Sequence, residues 1–182
     1  QKAVIEKLLS LGFNVNLRDA FGQTAAHTAS RDGHVGALDL LFRRGCDLTL
    51  TDNMGYSCVH VAAQQGHAEA VRHILILCPN LVDYPDSKGN TALHWACAQK
   101  HVEVVLVLLH ANASPLKHDR LGYIALHYAA RSGCVLGVNL LLAYADFAQL
   151  QMRNHRGLYA HDVATNNTHL ELGRVLREKY SR

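Results

Sequence analysis

No apolar stretch in this 182-residue chain approaches the roughly 20 residues needed to span a bilayer. One of the longest, VEVVLVLL at 102–109, falls far short, so the sequence offers no segment that inserts into a membrane. Lysine and arginine number 18 against 15 acids, a formal charge of +3, and they form no run. A phosphate-binding face needs clustered cations, and nucleic acid is not an expected partner. The five cysteines, at 46, 58, 78, 97 and 134, include no Cys-x-x-Cys pair and share no spacing with histidine that would suit zinc. Free, largely buried thiols in a reducing cytosol are the expectation, with no metal and no cofactor. A charged-then-apolar leader is also missing. The opening QKAVIEKLLSLG reads instead as the second half of a structural unit, and the chain is expected to be a piece of a longer cytoplasmic protein.

What the chain has in abundance is itself. DAFGQTAAHTASRDGH starts at 19, DNMGYSCVHVAAQQGH at 52, DSKGNTALHWACAQKH at 86 and DRLGYIALHYAARSGC at 119. The glycines at 22, 55, 89, 122 and 157 are 33, 34, 33 and 35 residues apart, and His27, His60, His94, His127 and Asp162 keep the same intervals. Self-similarity at such a period marks a stack of identical supersecondary units. A period of about 33 with the pattern D-x-x-G-x-T-x-L-H-x-A resembles the ankyrin repeat. The resemblance covers nearly the whole chain.

Each unit can be built from its residues. A polar turn centred on glycine comes first, as in DNMG or DSKG. Thr24, Ser57 or Thr91 then offers a hydroxyl to cap a short helix, stabilising it by about 1 kcal/mol. Ile124 and Tyr159 fit that role poorly, so the fourth and fifth helix starts are expected to be weaker. Small residues such as Ala62, Ala63, Ala96 and Cys97 let neighbouring first helices approach closely. The second helix, as in VGALDLLFRR or VEVVLVLLH, has a wide apolar stripe. Gly12, Gly45, Asn80 and Asn112 are placed to end these helices in the left-handed conformation. Ala145 stands at that point in the fourth copy, followed by two extra residues, and an irregular exit is expected there. Lys100 and Cys134 depart from the glycine and second histidine of the other copies.

No unit buries its stripe alone, and stacking closes the core. The expected fold is all-α: a solenoid of stacked helix-turn-helix units with β-turn fingers, forming one domain over 1–182. It divides into a partial repeat at 1–18, repeats at 19–51, 52–85, 86–118 and 119–153, and a C-terminal capping repeat at 154–182 with a more charged last helix.

Thirteen histidines invite a chemical reading, and Cys97 between His94 and His101 could be a thiolate beside a base. Repetition argues against it, because a catalytic site is needed once and a fold element in every unit. Histidines of successive units also stack too far apart to share an ion. The ankyrin resemblance implies that His27, His60, His94 and His127 are structural, bonding backbone and cap hydroxyl within and between repeats. No enzyme activity is expected of this chain.

The resemblance also implies protein binding through the turn tips and exposed sides of the first helices, on a concave face. The positions that vary there are Phe21, Gln23, Arg31 and Asp32; Asn53, Met54, Tyr56, Gln64 and Gln65; Lys88, Asn90 and Gln99; Arg120, Leu121, Tyr123 and Arg131; His155, Arg156, Asn166 and Asn167. Phe21, Met54, Tyr56, Leu121 and Tyr123 are apolar or aromatic where turns ought to be polar. They fit either a partner surface or fingers packed on one another. Trp95, at the position of Thr28, Val61 and Tyr128, is equally a partner anchor or a packed core residue. The expected partner-binding set is therefore Phe21, Arg31, Met54, Tyr56, Gln64, Gln65, Lys88, Trp95, Gln99, Arg120, Leu121, Tyr123, Arg131 and Arg156. The partner is a protein or peptide and the domain a monomer. A narrower likeness is carried by GYSCVHVAAQQGHAEAV and NTALHWACAQKH, which resemble the cytosolic ankyrin segments of Asp-His-His-Cys family palmitoyltransferases. That likeness implies a substrate-recruiting arm on the cytosolic face of an internal membrane, with Trp95 in its peptide pocket. The Asp-His-His-Cys motif itself is absent from this chain. The remaining alternative is a structural spacer within a multidomain protein.

Overall fold

The structure, a computed structural model, describes residues 6–7, 10–145 and 151–180. The opening QKAVI, residues 8–9, the expected irregular exit at 146–150 and the last two residues lie outside the described residues. Among the described residues α-helices follow in pairs: α1 (Ala25–Arg31) with α2 (Val35–Arg43), α3 (Cys58–Gln65) with α4 (Ala68–Leu77), α5 (Ala92–Ala98) with α6 (Val102–His110), α7 (Ala125–Ser132) with α8 (Val135–Tyr144), and α9 (Ala160–Asn166) with α10 (Leu170–Tyr180). No strand is present among the described residues, only an isolated bridge between His118 and Ile124. The all-α expectation holds.

The first helices α1, α3, α5, α7 and α9 stack in order as an inner layer, and α2, α4, α6 and α8 stack in order as an outer one. Close stacking of the inner layer follows from its side chains: Ala26, Ala62, Ala63, Ala96, Ala129, Ala130, Ala160 and Ala164 are all buried. Between the layers Leu38, Leu41, Ile74, Leu93, Leu108, Leu126, Leu141 and Leu176 are inaccessible to solvent or nearly so. The inner helices have 7 or 8 residues, too few to persist alone. Their stability comes from burial between neighbours.

Between helix pairs, each finger donates one backbone hydrogen bond to the finger before it. Asn53 N–H reaches Phe21 O at 3.0 Å, Ser87 N–H reaches Met54 O at 3.2 Å, Arg120 N–H reaches Lys88 O at 2.9 Å, and His155 N–H reaches Leu121 O at 2.9 Å. Gly55 is needed there twice over. Its φ is +79°, and a Cβ would lie 2.6 Å from Ser87 N.

The helix ends differ from expectation at one place. Gly12, Gly45 and Asn112 take left-handed backbone, at φ +82°, +84° and +63°. Asn80 does not: α4 stops at Cys78, and Pro79–Leu81 forms a 3₁₀ turn that includes Asn80. Proline at 79 has no N–H to continue the helix and holds φ negative at the start of the tighter turn. Ala145 follows α8 in an extended conformation. Lys100, at φ +63°, occupies the left-handed site that Gly33, Gly66 and Gly133 fill elsewhere.

Candidate partner-binding groove

The aspartate that opens each finger organises it. Asp52 Oδ1 accepts from Met54 N–H and Tyr56 N–H, both at 2.9 Å. Asp86 Oδ1 accepts from Lys88 and Asn90 N–H, both at 2.8 Å, and Asp119 Oδ1 from Leu121 and Tyr123 N–H, both at 2.8 Å. A short acidic side chain that folds back on its own backbone fixes a turn without help from neighbours. The second carboxylate oxygen is then free to reach the inner helix nine residues on. Asp86 Oδ2 accepts from Trp95 Nε1–H at 3.1 Å, and Asp119 Oδ2 lies 2.9 Å from Tyr128 Oη, which is also 2.8 Å from Asn90 Oδ1. Both aspartates are buried. Desolvation first, and then the hydrogen bond to Asp119, push the Tyr128 phenol well above its usual pKa.

The histidines tie unit to unit. Thr24 N–H donates to His27 Nδ1 at 3.1 Å, and the Thr24 hydroxyl lies 3.0 Å from the same nitrogen. His27 Nε2 faces Tyr56 O at 3.0 Å. A carbonyl only accepts, so Nε2 carries the proton and Nδ1 is the acceptor. His60 and His94 repeat the arrangement with Ser57 and Asn90 O, and with Thr91 and Tyr123 O. Ile124 has no hydroxyl, yet its N–H still reaches His127 Nδ1 at 3.2 Å, and Tyr159 N–H is taken by Asp162 Oδ2 at 3.0 Å. The histidine position, more than the hydroxyl, is common to these helix starts. Burial lowers the pKa of all four histidines, that of His94 to about 4. Cys97 is fully buried, and desolvation pushes its thiol far above the usual range, which removes the thiolate a nucleophile needs. Among the described residues no group of three or more His, Cys, Asp or Glu is placed to hold a metal ion.

On this scaffold two adjoining depressions open along α5, α7 and α9. One, of about 410 Å³, is lined by Lys88, Asn90, His94, Trp95, Ala98, Tyr128, Arg131, Ser132 and Asn167. The other, of about 320 Å³, is lined by Asp119, Leu121, Tyr123, Tyr128, Arg131, Arg156, Leu158, Val163, Asn166 and Asn167. They share Tyr128, Arg131 and Asn167 and so form one groove. Its aromatic rings are locked edge to face: Tyr56 on Trp95 at 5.5 Å between centroids, and Tyr128 on His94 at 5.3 Å. Tyr123 packs against His127 and Tyr128.

Six of the expected binding residues line the groove: Lys88, Trp95, Leu121, Tyr123, Arg131 and Arg156. Tyr56 adjoins it through Trp95. Phe21, Met54 and Arg120 stand at finger tips, with Phe21 73% and Met54 48% exposed. Such exposure means these two tips are not packed on neighbouring fingers, unlike Tyr56 and Tyr123. Arg31 donates to the Gln23 side chain, Gln64 O accepts from His101 Nε2, and Gln65 and Gln99 are exposed, all outside the groove lining. Sequence reasoning missed Asp86 and Asp119 as anchors and Leu158 and Val163 as lining. The signal for the two aspartates was the nine-residue interval from the finger aspartate to the aromatic, and Leu158 and Val163 had none.

A family profile described as "Ankyrin repeats (3 copies)" matches residues 1–83, 40–119 and 73–154. The chain belongs to the ankyrin-repeat family. Repeats of this family are in general protein–protein interaction modules. Relatives include the B-cell lymphoma 3 protein homolog of Mus musculus, 35% identical over 100 residues that make up 54% of this chain and 22% of that protein. Rabankyrin-5 of Homo sapiens is 32% identical over 150 residues, 80% of this chain and 13% of its own length. Neurogenic locus notch homolog protein 2 of Homo sapiens is 32% identical over 109 residues, 60% of this chain and 4% of its own. The ankyrin chain thus spans less than a quarter of each of these relatives. Among the described residues no helix is long and apolar enough to cross a membrane.

Proposed function

We propose that this chain is a non-catalytic recognition module and that the groove over α5, α7 and α9 receives its partner, a segment of another protein. The observation that carries the reading is convergence: six residues that vary between otherwise repeating units line one continuous depression. Aromatic rings with arginine make the chemistry of interface anchors. The rings are held in place by neighbours before any partner arrives, which lowers the ordering cost of binding. The chain acts as a cytoplasmic monomer, either alone or as one segment of a larger protein.

The test compares capture of partners from a cell extract by the natural domain and by a Trp95→Ala, Tyr123→Ala, Arg131→Ala variant with an unchanged melting profile. Loss of specific proteins supports the groove, while equal capture by both, or none by either, supports a spacer. The narrower reading, a substrate-recruiting arm of a palmitoyltransferase, has in its favour that Trp95 lines the groove beside Ala98 and Lys88. It requires that the proteins captured through Trp95 carry S-acylated cysteines.

A further inference from the structure

Cations in this molecule are treated differently in different places. On the outer helices the arginines are paired, for example Arg43 with Asp39 at 3.0 Å, Arg72 with Glu69 at 3.4 Å, and Arg174 with Glu178 at 3.5 Å, whereas Lys100, Lys117 and Lys179 elsewhere are exposed without an ion pair among the described residues. Near the first fingers Arg18 donates to the carbonyls of Gly22 and Thr51, and Arg31 to Gln23. Arg153 lies over the Tyr159 ring at 4.5 Å. In and beside the groove the pattern breaks. The side chains of Lys88, Arg120, Arg131 and Arg156 are exposed and make no hydrogen bond or ion pair among the described residues.

Neither of the two buried aspartates beneath them forms an ion pair with them. Asp86 and Asp119 are 6% and 4% exposed, and both oxygens of each are already held by backbone N–H groups, the Asn90 amide, Trp95 and Tyr128. The fifth finger goes further and replaces the aspartate by Asn154, whose Oδ1 accepts from Arg156 and Leu158 N–H as the carboxylates do. That finger carries the same turn without the negative charge. Asn90 Oδ1 competes with Asp119 Oδ2 for the one Tyr128 hydroxyl proton. The groove therefore exposes unpaired donors over a floor whose polar atoms are largely taken.

We propose that the groove binds an extended peptide segment carrying several aspartate or glutamate residues. This rests on the groove being the binding face. Lys88, Arg131 and Arg156 belong to successive units, Lys88 and Arg156 on fingers and Arg131 near the end of α7, and all three line the groove. An extended chain advances about 3.3 Å per residue, so a short acidic segment can lay carboxylates along the groove past all three cations. Apolar side chains between the acids rest on Trp95, Leu121 and Tyr123. One exposed ion pair changes affinity by no more than about fivefold, so the charge preference comes from the set and weakens as salt screens it.

The experiment is selection of a random peptide library, about 12 residues long, on the purified domain, with sequencing of the bound pool. Binding of individual selected peptides is then read by fluorescence of Trp95, the single tryptophan of the chain. The result expected is enrichment of Asp or Glu at two or more positions of the selected peptides. Selected peptides should weaken at least tenfold on an Arg131→Glu, Arg156→Glu variant that retains its melting profile, and several-fold on raising salt. If that variant does not fold, Lys88→Glu takes its place. Groove-dependent peptides without acidic enrichment overturn this inference and leave the groove reading standing. Peptides that neither perturb Trp95 nor respond to Trp95→Ala or Tyr123→Ala overturn both, and so does the failure of any peptide to bind.

Discussion

Lys100 and Cys134 are a matched pair of exceptions. In the other units a left-handed glycine lies under the imidazole of the next unit: a Cβ on Gly33 would come within 2.7 Å of His67, on Gly66 within 2.6 Å of His101, and on Gly133 within 2.6 Å of His169. Those imidazoles also bond back across the interface, His67 Nε2 to Arg31 O at 2.8 Å and His101 Nε2 to Gln64 O at 3.1 Å. Where Lys100 supplies a Cβ at φ +63°, the following unit has Cys134, too short to collide. The lost cross-unit bond has a counterpart nearby, because the Ser132 hydroxyl donates to Cys97 O at 2.9 Å. Cys134→His alone should therefore destabilise by about 1–3 kcal/mol through overpacking. The same change with Lys100→Gly should recover most of that loss. Denaturant unfolding of the four-member cycle checks it, and additive effects would refute the pairing.

Stability should fall with acid in a window set by the histidines. His94 has its pKa lowered from 6.5 to about 4 by burial, and His27, His60 and His127 shift the same way. Between those values the unfolded chain binds protons that the folded chain refuses, so stability is full above pH 6.5 and drains as pH falls toward 4. At 1.36 kcal/mol per unit the His94 interval amounts to roughly 3 kcal/mol. Melting temperature against pH from 7 to 4 should show the decline, and His94→Asn should start lower but fall less steeply.

Tyr128 and Tyr123 neighbour each other in the groove but differ in what their hydroxyls do. The single Tyr128 hydroxyl proton is shared between Asp119 Oδ2 and Asn90 Oδ1, whereas no hydrogen bond of the Tyr123 hydroxyl appears among the described residues. Tyr128→Phe leaves a buried carboxylate oxygen short of a donor and should cost about 1–3 kcal/mol. Tyr123→Phe should cost a few tenths at most. Equal melting temperatures for the two variants would show that the Tyr128 bridge contributes nothing.

How far the fold could be read in advance follows from which features are local. The glycine turn, the cap residue and the apolar stripe of each helix are local features that recur every 33–35 residues, and the helix pairs appear where that pattern puts them. Asn80 misled because asparagine tolerates left-handed backbone in general, but Pro79 beside it imposes another turn. The groove was harder. Lys88, Arg131 and Arg156 are far apart in sequence, and whether a cation is paired depends on side chains from other units. The Asp86–Trp95 and Asp119–Tyr128 bonds also change chemistry from unit to unit, so repetition could not reveal them. Asn154 ends the series opposite Val163, and its Nδ2 is buried without a partner.

Glycine substitutions separate the cost of backbone strain from that of finger stacking. Gly45 and Gly55 have almost the same φ, +84° and +79°, so replacing either with alanine carries a similar left-handed penalty of about 1 kcal/mol. Nothing lies within 4 Å of a Cβ on Gly45, whereas on Gly55 it meets Ser87 N at 2.6 Å and the Asp86 carbonyl carbon at 3.2 Å. The third finger would have to retreat, and with it the Ser87 N–H bond to Met54 O. Gly55→Ala should cost at least about 2 kcal/mol more than Gly45→Ala. Because Asp86 anchors Trp95, the same variant should also alter Trp95 fluorescence in the folded state, and Gly45→Ala should not. Equal unfolding midpoints and unchanged emission for both would mean that the fingers do not transmit strain to the groove.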